Sequence, residues 1–145
     1  MRAVLLIVIL GGCSTMSGME GMEGMEGMKG ALQDAQHEGQ RHSSESRAAP
    51  DLPSLVVEVD RHGGRMTTIF DDMRDHMSGM DHCNGMAMMT GMRDRMEAEM
   101  RDHQTTMHAM TDLSAARASD EHHLAVMNDM LGTMDMQLGG MHCGM

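Results

Sequence analysis

The sequence predicts an all-α fold, an antiparallel up-down-up-down four-helix bundle over residues 31–145 made of two copies of one helical hairpin. Three features point to it. Apolar residues recur at steps of three and four, which puts them on one buried seam of a helix. Turn-forming clusters interrupt those seams at "AAPDLP", "DHCNG" and "TDLS". The chain also matches itself at an offset of 61: Glu38 falls on Glu99, His42 on His103, Asp51-Leu52 on Asp112-Leu113, His62 on His123, Met66 on Met127, Met73 on Met134 and Met80 on Met141. After a one-residue slip, His82-Cys83 falls on His142-Cys143. A repeat of this length is one supersecondary unit that buries its apolar face against its copy.

In chain order, residues 1–12 carry Arg2, an apolar run from Ala3 to Leu10 and two glycines, followed by Cys13. The run is much shorter than the ~20 residues that span a bilayer, and it reads as a signal peptide. The stretch "LGGC" (Leu10 to Cys13) resembles the lipobox of bacterial lipoproteins. That resemblance implies cleavage before Cys13 and acylation of its thiol, which holds the chain on a membrane through buried acyl chains worth ~0.8 kcal/mol per methylene. Ser14 after the cysteine, in place of aspartate, is similar to lipoproteins sorted to the outer membrane, facing the periplasm. Residues 13–30, with "GMEGMEGMEGMKG", read as a flexible tether, since glycine at every third position disfavours a helix.

The first hairpin, 31–83, starts with an arm from Ala31 to Ala49, poor in apolar residues. Its second arm follows Pro50 to Pro53 and carries Leu52, Leu55, Val56, Val59, His62, Met66, Ile69, Phe70, Met73, Met77 and Met80 on one seam. Asn84-Gly85 turns the chain into an arm from about Met86 to Met110, and the second hairpin covers 92–143. Its last arm carries Leu113, Ala116, Asp120, His123, Met127, Met130, Met134, Leu138 and Met141. Asp51 and Asp112 stand where helix N-caps are needed.

A net charge of −11 with no basic cluster excludes nucleic acid as a partner and favours cations. Methionine supplies 24 of the 145 residues and histidine ten, a thioether and imidazole set that suits copper. Most methionines, Met66, Met73, Met77, Met127 and Met134 among them, fill places where leucine would pack. Met86, Met88, Met89 and Met92 are expected to be exposed and to be the better argument for copper.

Residues equidistant from a turn of an antiparallel hairpin share a height. His42 and His62 average to Leu52, His103 and His123 to Leu113, and His62 with His103 to a point inside "DHCNG". Four imidazoles are therefore expected in one buried layer, with Glu38, Glu99, Met66 and Met127 one helical turn, ~5.4 Å, away. Each neutral ring carries an acceptor nitrogen that needs a donor or a metal. Two arrangements satisfy them: a metal ion, or a hydrogen-bonded network in which Glu38 and Glu99 accept from the rings. The layer is similar to di-iron carboxylate bundles, but departs from them in its Glu-x-x-x-His spacing and in having two carboxylates rather than four. Copper is expected first; zinc and iron are also possible.

A second candidate site sits at one end of the bundle. "MSGMDHCNGMAMM" resembles the Met-rich repeats of bacterial copper-resistance proteins, which implies metal capture by Met77, Met80, His82 and, through the repeat, His142. Cys83 and Cys143 remain once Cys13 is assigned to lipid. They are expected to form a disulfide, with a two-His, two-thiolate site as the other possibility. The function expected is metal buffering or resistance by a non-enzymatic envelope lipoprotein. Its rivals are a small dinuclear oxidase using the His/Glu core and a structural lipoprotein without metal.

Overall fold

The computed structural model describes the backbone of residues 16–143 and the side chains of residues 22–143. Four helices follow one another: α1 (Met16–Ala48), α2 (Leu52–Ser78), α3 (Met86–Ala109) and α4 (Leu113–Gly139). Each packs on its neighbours in sequence, and α1 closes the ring on α4, the up-down-up-down arrangement the repeat predicts. The expected signal peptide, the lipobox-like "LGGC" and Cys13 lie outside the described residues.

Caps fix both second arms. The Asp51 carboxylate accepts from the Ser54 amide at 2.9 Å and Asp112 from the Ala115 amide at 2.7 Å. Each satisfies one of the amides that a helix start leaves without an intrahelical partner. Between α2 and α3, Gly85 takes φ 84°, a left-handed conformation that glycine adopts without steric cost.

The glycine-rich segment differs from its expectation. α1 begins at Met16, so most of the tether foreseen over 13–30 is helix. A Cβ on Gly24 would lie 2.7 Å from Met80 Cγ and 3.1 Å from the His76 carbonyl oxygen, and one on Gly27 would lie 2.2 Å from the His76 ring. These glycines let α1 approach α2 closely. The packing of Met28, Ala31, Leu32 and Ala35 into the core then outweighs a propensity cost of about 1 kcal/mol per glycine.

The core has two apolar parts. The larger one runs from the Cys83 end to Met66, Met100 and Met127, and methionine makes up most of it. The smaller one holds Ala49, Leu55, Val59, Met107 and Ala116 at the opposite end. Between them lies a slab of buried polar side chains: Glu38, His42, Ser46, Glu58, His62, His103, Asp120 and His123.

Candidate metal centre

The four predicted histidines meet in this slab, one from each helix. The His42 and His62 rings stack with centroids 4.0 Å apart, as do those of His103 and His123, and His62 meets His123 edge-on at 5.9 Å. The two outer loops centre on Pro50 and Thr111, two residues before the centres the sequence arithmetic uses. His62 is therefore level with Glu38, and His42 with Glu58. The rings still stack because helical side chains lean toward their own N-terminus, so those on antiparallel neighbours lean toward each other.

Hydrogen bonds orient every ring. His62 donates from Nδ1 to Glu38 at 2.8 Å, and the repeat-related His123 donates from Nδ1 to Glu99 at 3.1 Å. A proton held at Nδ1 leaves Nε2 as a lone pair, and neither His62 Nε2 nor His123 Nε2 has a partner although both are buried. This is the tautomer that a carboxylate imposes on a metal-ligating imidazole. His42 and His103 instead direct Nε2 to one oxygen of Asp120, at 2.8 and 3.1 Å. His42 Nδ1 lies 3.3 Å from the Ser46 hydroxyl and 3.4 Å from Glu58.

The electrostatics disfavour charge on the His62 and His123 rings and favour it on Glu38 and Asp120. Burial lowers the His123 pKa to about 2, helped by the charge that His103, His62 and His42 would carry. His62 is lowered by burial and by His42, against the opposing pull of Glu38. Burial pushes the Glu38 carboxyl upward, but hydrogen bonds from His62, Arg65 and Arg41 prevail and bring its pKa to about 2. Burial likewise raises Asp120, and the bonds from His103 and His42 outweigh it, leaving the pKa below the usual carboxylate range. Arg65 bridges the slab's edge, donating to Glu38 at 2.8 Å and Glu58 at 2.7 Å. Arg41 is also on Glu38, Arg61 is on Glu58, and Arg65 further reaches the exposed Glu45.

Ligand atoms of His42, His103 and Asp120 all lie within 4.8 Å of one another, and all three residues are buried. They come from α1, α3 and α4, so this group can hold a metal ion between both hairpins. His62 and His123 bring their free nitrogens to the same slab. Glu38 and Glu99 sit behind the rings as acceptors. Met66 and Met127 belong to the apolar floor on the long-core side. Asp120 stands on the seam that the sequence predicts but was not among the site residues expected there; an aspartate among apolar seam residues was the available signal. Glu58 and Ser46 carry no signal in the repeat, since their counterparts are Ser119 and Met107.

At the far end Cys83 and Cys143 form a disulfide. His82 lies within metal-ligand reach of both sulfurs, while the exposed His142 is outside that group. Met77 and Met80 are buried in the long core. Met89 and Met92 are buried there too, against the expectation that they are exposed; Met88 is 51 % exposed and Met86 half-buried. The third-and-fourth spacing of 89, 92, 96 and 100 continues the α3 seam, which explains the correction.

Protein-family models, curated proteins and solved structures were compared with the chain, and none matches it.

Proposed function

We propose that the protein is a lipid-anchored envelope protein that binds a transition metal, copper first, for buffering or resistance. The observation that carries the metal reading is the buried convergence of His42, His103 and Asp120, beside two more imidazoles whose Nε2 atoms have no partner. Buried polar atoms without partners cost about 1–3 kcal/mol each, and an ion relieves several at once. Imidazole and carboxylate donors suit Cu(II) and Zn(II), and among divalent first-row ions such a site holds Cu(II) most tightly. Burial of Met89 and Met92 leaves Met88 as the one exposed thioether of that group, and the slab carries the metal reading. The "LGGC" motif supports the anchor at Cys13, and Ser14 after it supports the outer membrane and the periplasmic face. Among the described residues no helix is long and apolar enough to cross a membrane.

The test is metal titration of the purified chain beside a His42→Ala/His103→Ala variant checked for helicity by circular dichroism. Copper at 100 times its Kd adds about 2.7 kcal/mol of stability, a rise in Tm of roughly 10 °C in the wild type. The folded variant should show no such rise. Equal copper content and equal Tm shifts in both proteins would place the ion elsewhere.

A further inference from the structure

We infer that the chain contains a second metal site, closed by its own disulfide: in the reduced protein the thiolates of Cys83 and Cys143 and the His82 imidazole bind one thiophilic cation. Donor atoms of the three residues already lie within 4.8 Å of one another. The Cα atoms of the two cysteines are 4.1 Å apart.

This closeness does not depend on the sulfur–sulfur bond. Residues 83 and 143 pair as an antiparallel bridge, with the Asn84 amide donating to the His142 carbonyl at 3.2 Å. The His142 amide in turn donates to the Asn84 side-chain oxygen at 2.7 Å. Gly85 in its left-handed turn brings this loop back onto Met141. Reduction therefore leaves both thiols held side by side. Two thiolates on one tetrahedral zinc stand roughly 3.8 Å apart, given Zn–S bonds of ~2.3 Å, a separation that side-chain rotation supplies. His82 is exposed and free to turn its ring toward the sulfurs. Met80 and Met141 are buried in the same cluster as Cys83.

The chemistry balances with a dithiol as reductant. Two electrons pass from the dithiol to the Cys83–Cys143 bond, giving two protein thiols and a disulfide on the reductant. Binding of M²⁺ then releases the two thiol protons to solvent. Thiol–disulfide exchange with a disulfide oxidant reverses both steps: the two sulfurs regain the bond, the oxidant leaves as two thiols, and the ion is expelled. The site thus responds to the thiol–disulfide state of the chain, whereas the slab of histidines contains no cysteine.

Cobalt(II) separates the two sites, since only thiolate ligation gives an intense sulfur-to-cobalt charge-transfer band. The full chain, reduced with a phosphine and kept anaerobic, should develop that band with one equivalent of Co(II) and lose it to one equivalent of Zn(II). The oxidised chain should show none. Cys83→Ser/Cys143→Ser should abolish the band, and His82→Ala should weaken cobalt binding at least ~10-fold. His42→Ala/His103→Ala should leave the band unchanged, so failure of the central site and of this one are told apart. Absence of the band in the reduced wild type would overturn the inference, as would the same band in the oxidised chain or an unweakened affinity in His82→Ala.

Discussion

At the level of single residues, Asp120 accepts from imidazoles on two different helices, and Asp120→Ala removes the acceptor from both. Two buried N–H groups then lose their partner, at about 1–3 kcal/mol each. The metal-free variant should melt well below the wild type, and its copper affinity should fall at least ~10-fold by competition titration. His62→Met/His123→Met should act in the opposite sense. These rings carry the two orphaned nitrogens, and Glu38 keeps Arg65 and Arg41 as partners when His62 is lost. Urea unfolding of the metal-free variant should give a stability about 1–3 kcal/mol above the wild type, while metal binding declines. A variant less stable than the wild type would assign the rings a structural role in the empty protein. The histidines and Glu38 and Glu99 were legible in the sequence because they recur at one offset. Glu58, Arg65 and Ser46 were not, because each belongs to one hairpin only and gains its role from a neighbour across the interface.

At the level of the helices, the glycines of α1 and α2 divide by what faces them. Gly24 meets Met80 and the His76 carbonyl, whereas nothing lies within 4 Å of a Cβ placed on Gly30 or Gly64. Gly24→Ala should therefore destabilise by about 1–2 kcal/mol, overpacking against α2 prevailing over the better helix propensity of alanine. Gly30→Ala and Gly64→Ala should each stabilise by about 0.5–1 kcal/mol, read as a rise in the urea midpoint. Helix periodicity and Asp caps made α2, α3 and α4 readable to within two residues. The start of α1 was hidden because a Gly-x-x-Gly spacing reads identically as a tether or as a contact face, and only the neighbouring helix decides between them.

For the whole molecule, the slab sets the response to acid. His123 and His62 are held neutral, with pKa values below the ordinary 6.5, so the unfolded chain binds protons before the folded one does. Their contribution to stability is complete above pH 6.5 and is lost as pH falls, at up to about 1.4 kcal/mol per pH unit for each ring. Glu38, brought to about 2, adds to the loss below pH 4.5. Metal-free protein should show a flat unfolding midpoint from pH 7 to 8 and a decline beginning near pH 6.5; a midpoint unchanged down to pH 5 would contradict neutral buried rings.

The short apolar end, five buried residues from Ala49 to Ala116, is cut off from the long methionine core by this polar slab. It is too small to hold itself together, and an ion clasped by α1, α3 and α4 would be the rivet joining it to the rest. Amides near residues 49–59 and 107–116 should accordingly exchange with deuterium quickly in the empty protein and slow sharply on loading, while those of the sulfur-rich barrel below barely change. Occupancy would then be written on the molecule as the stiffness of one tip, available to whatever else touches it.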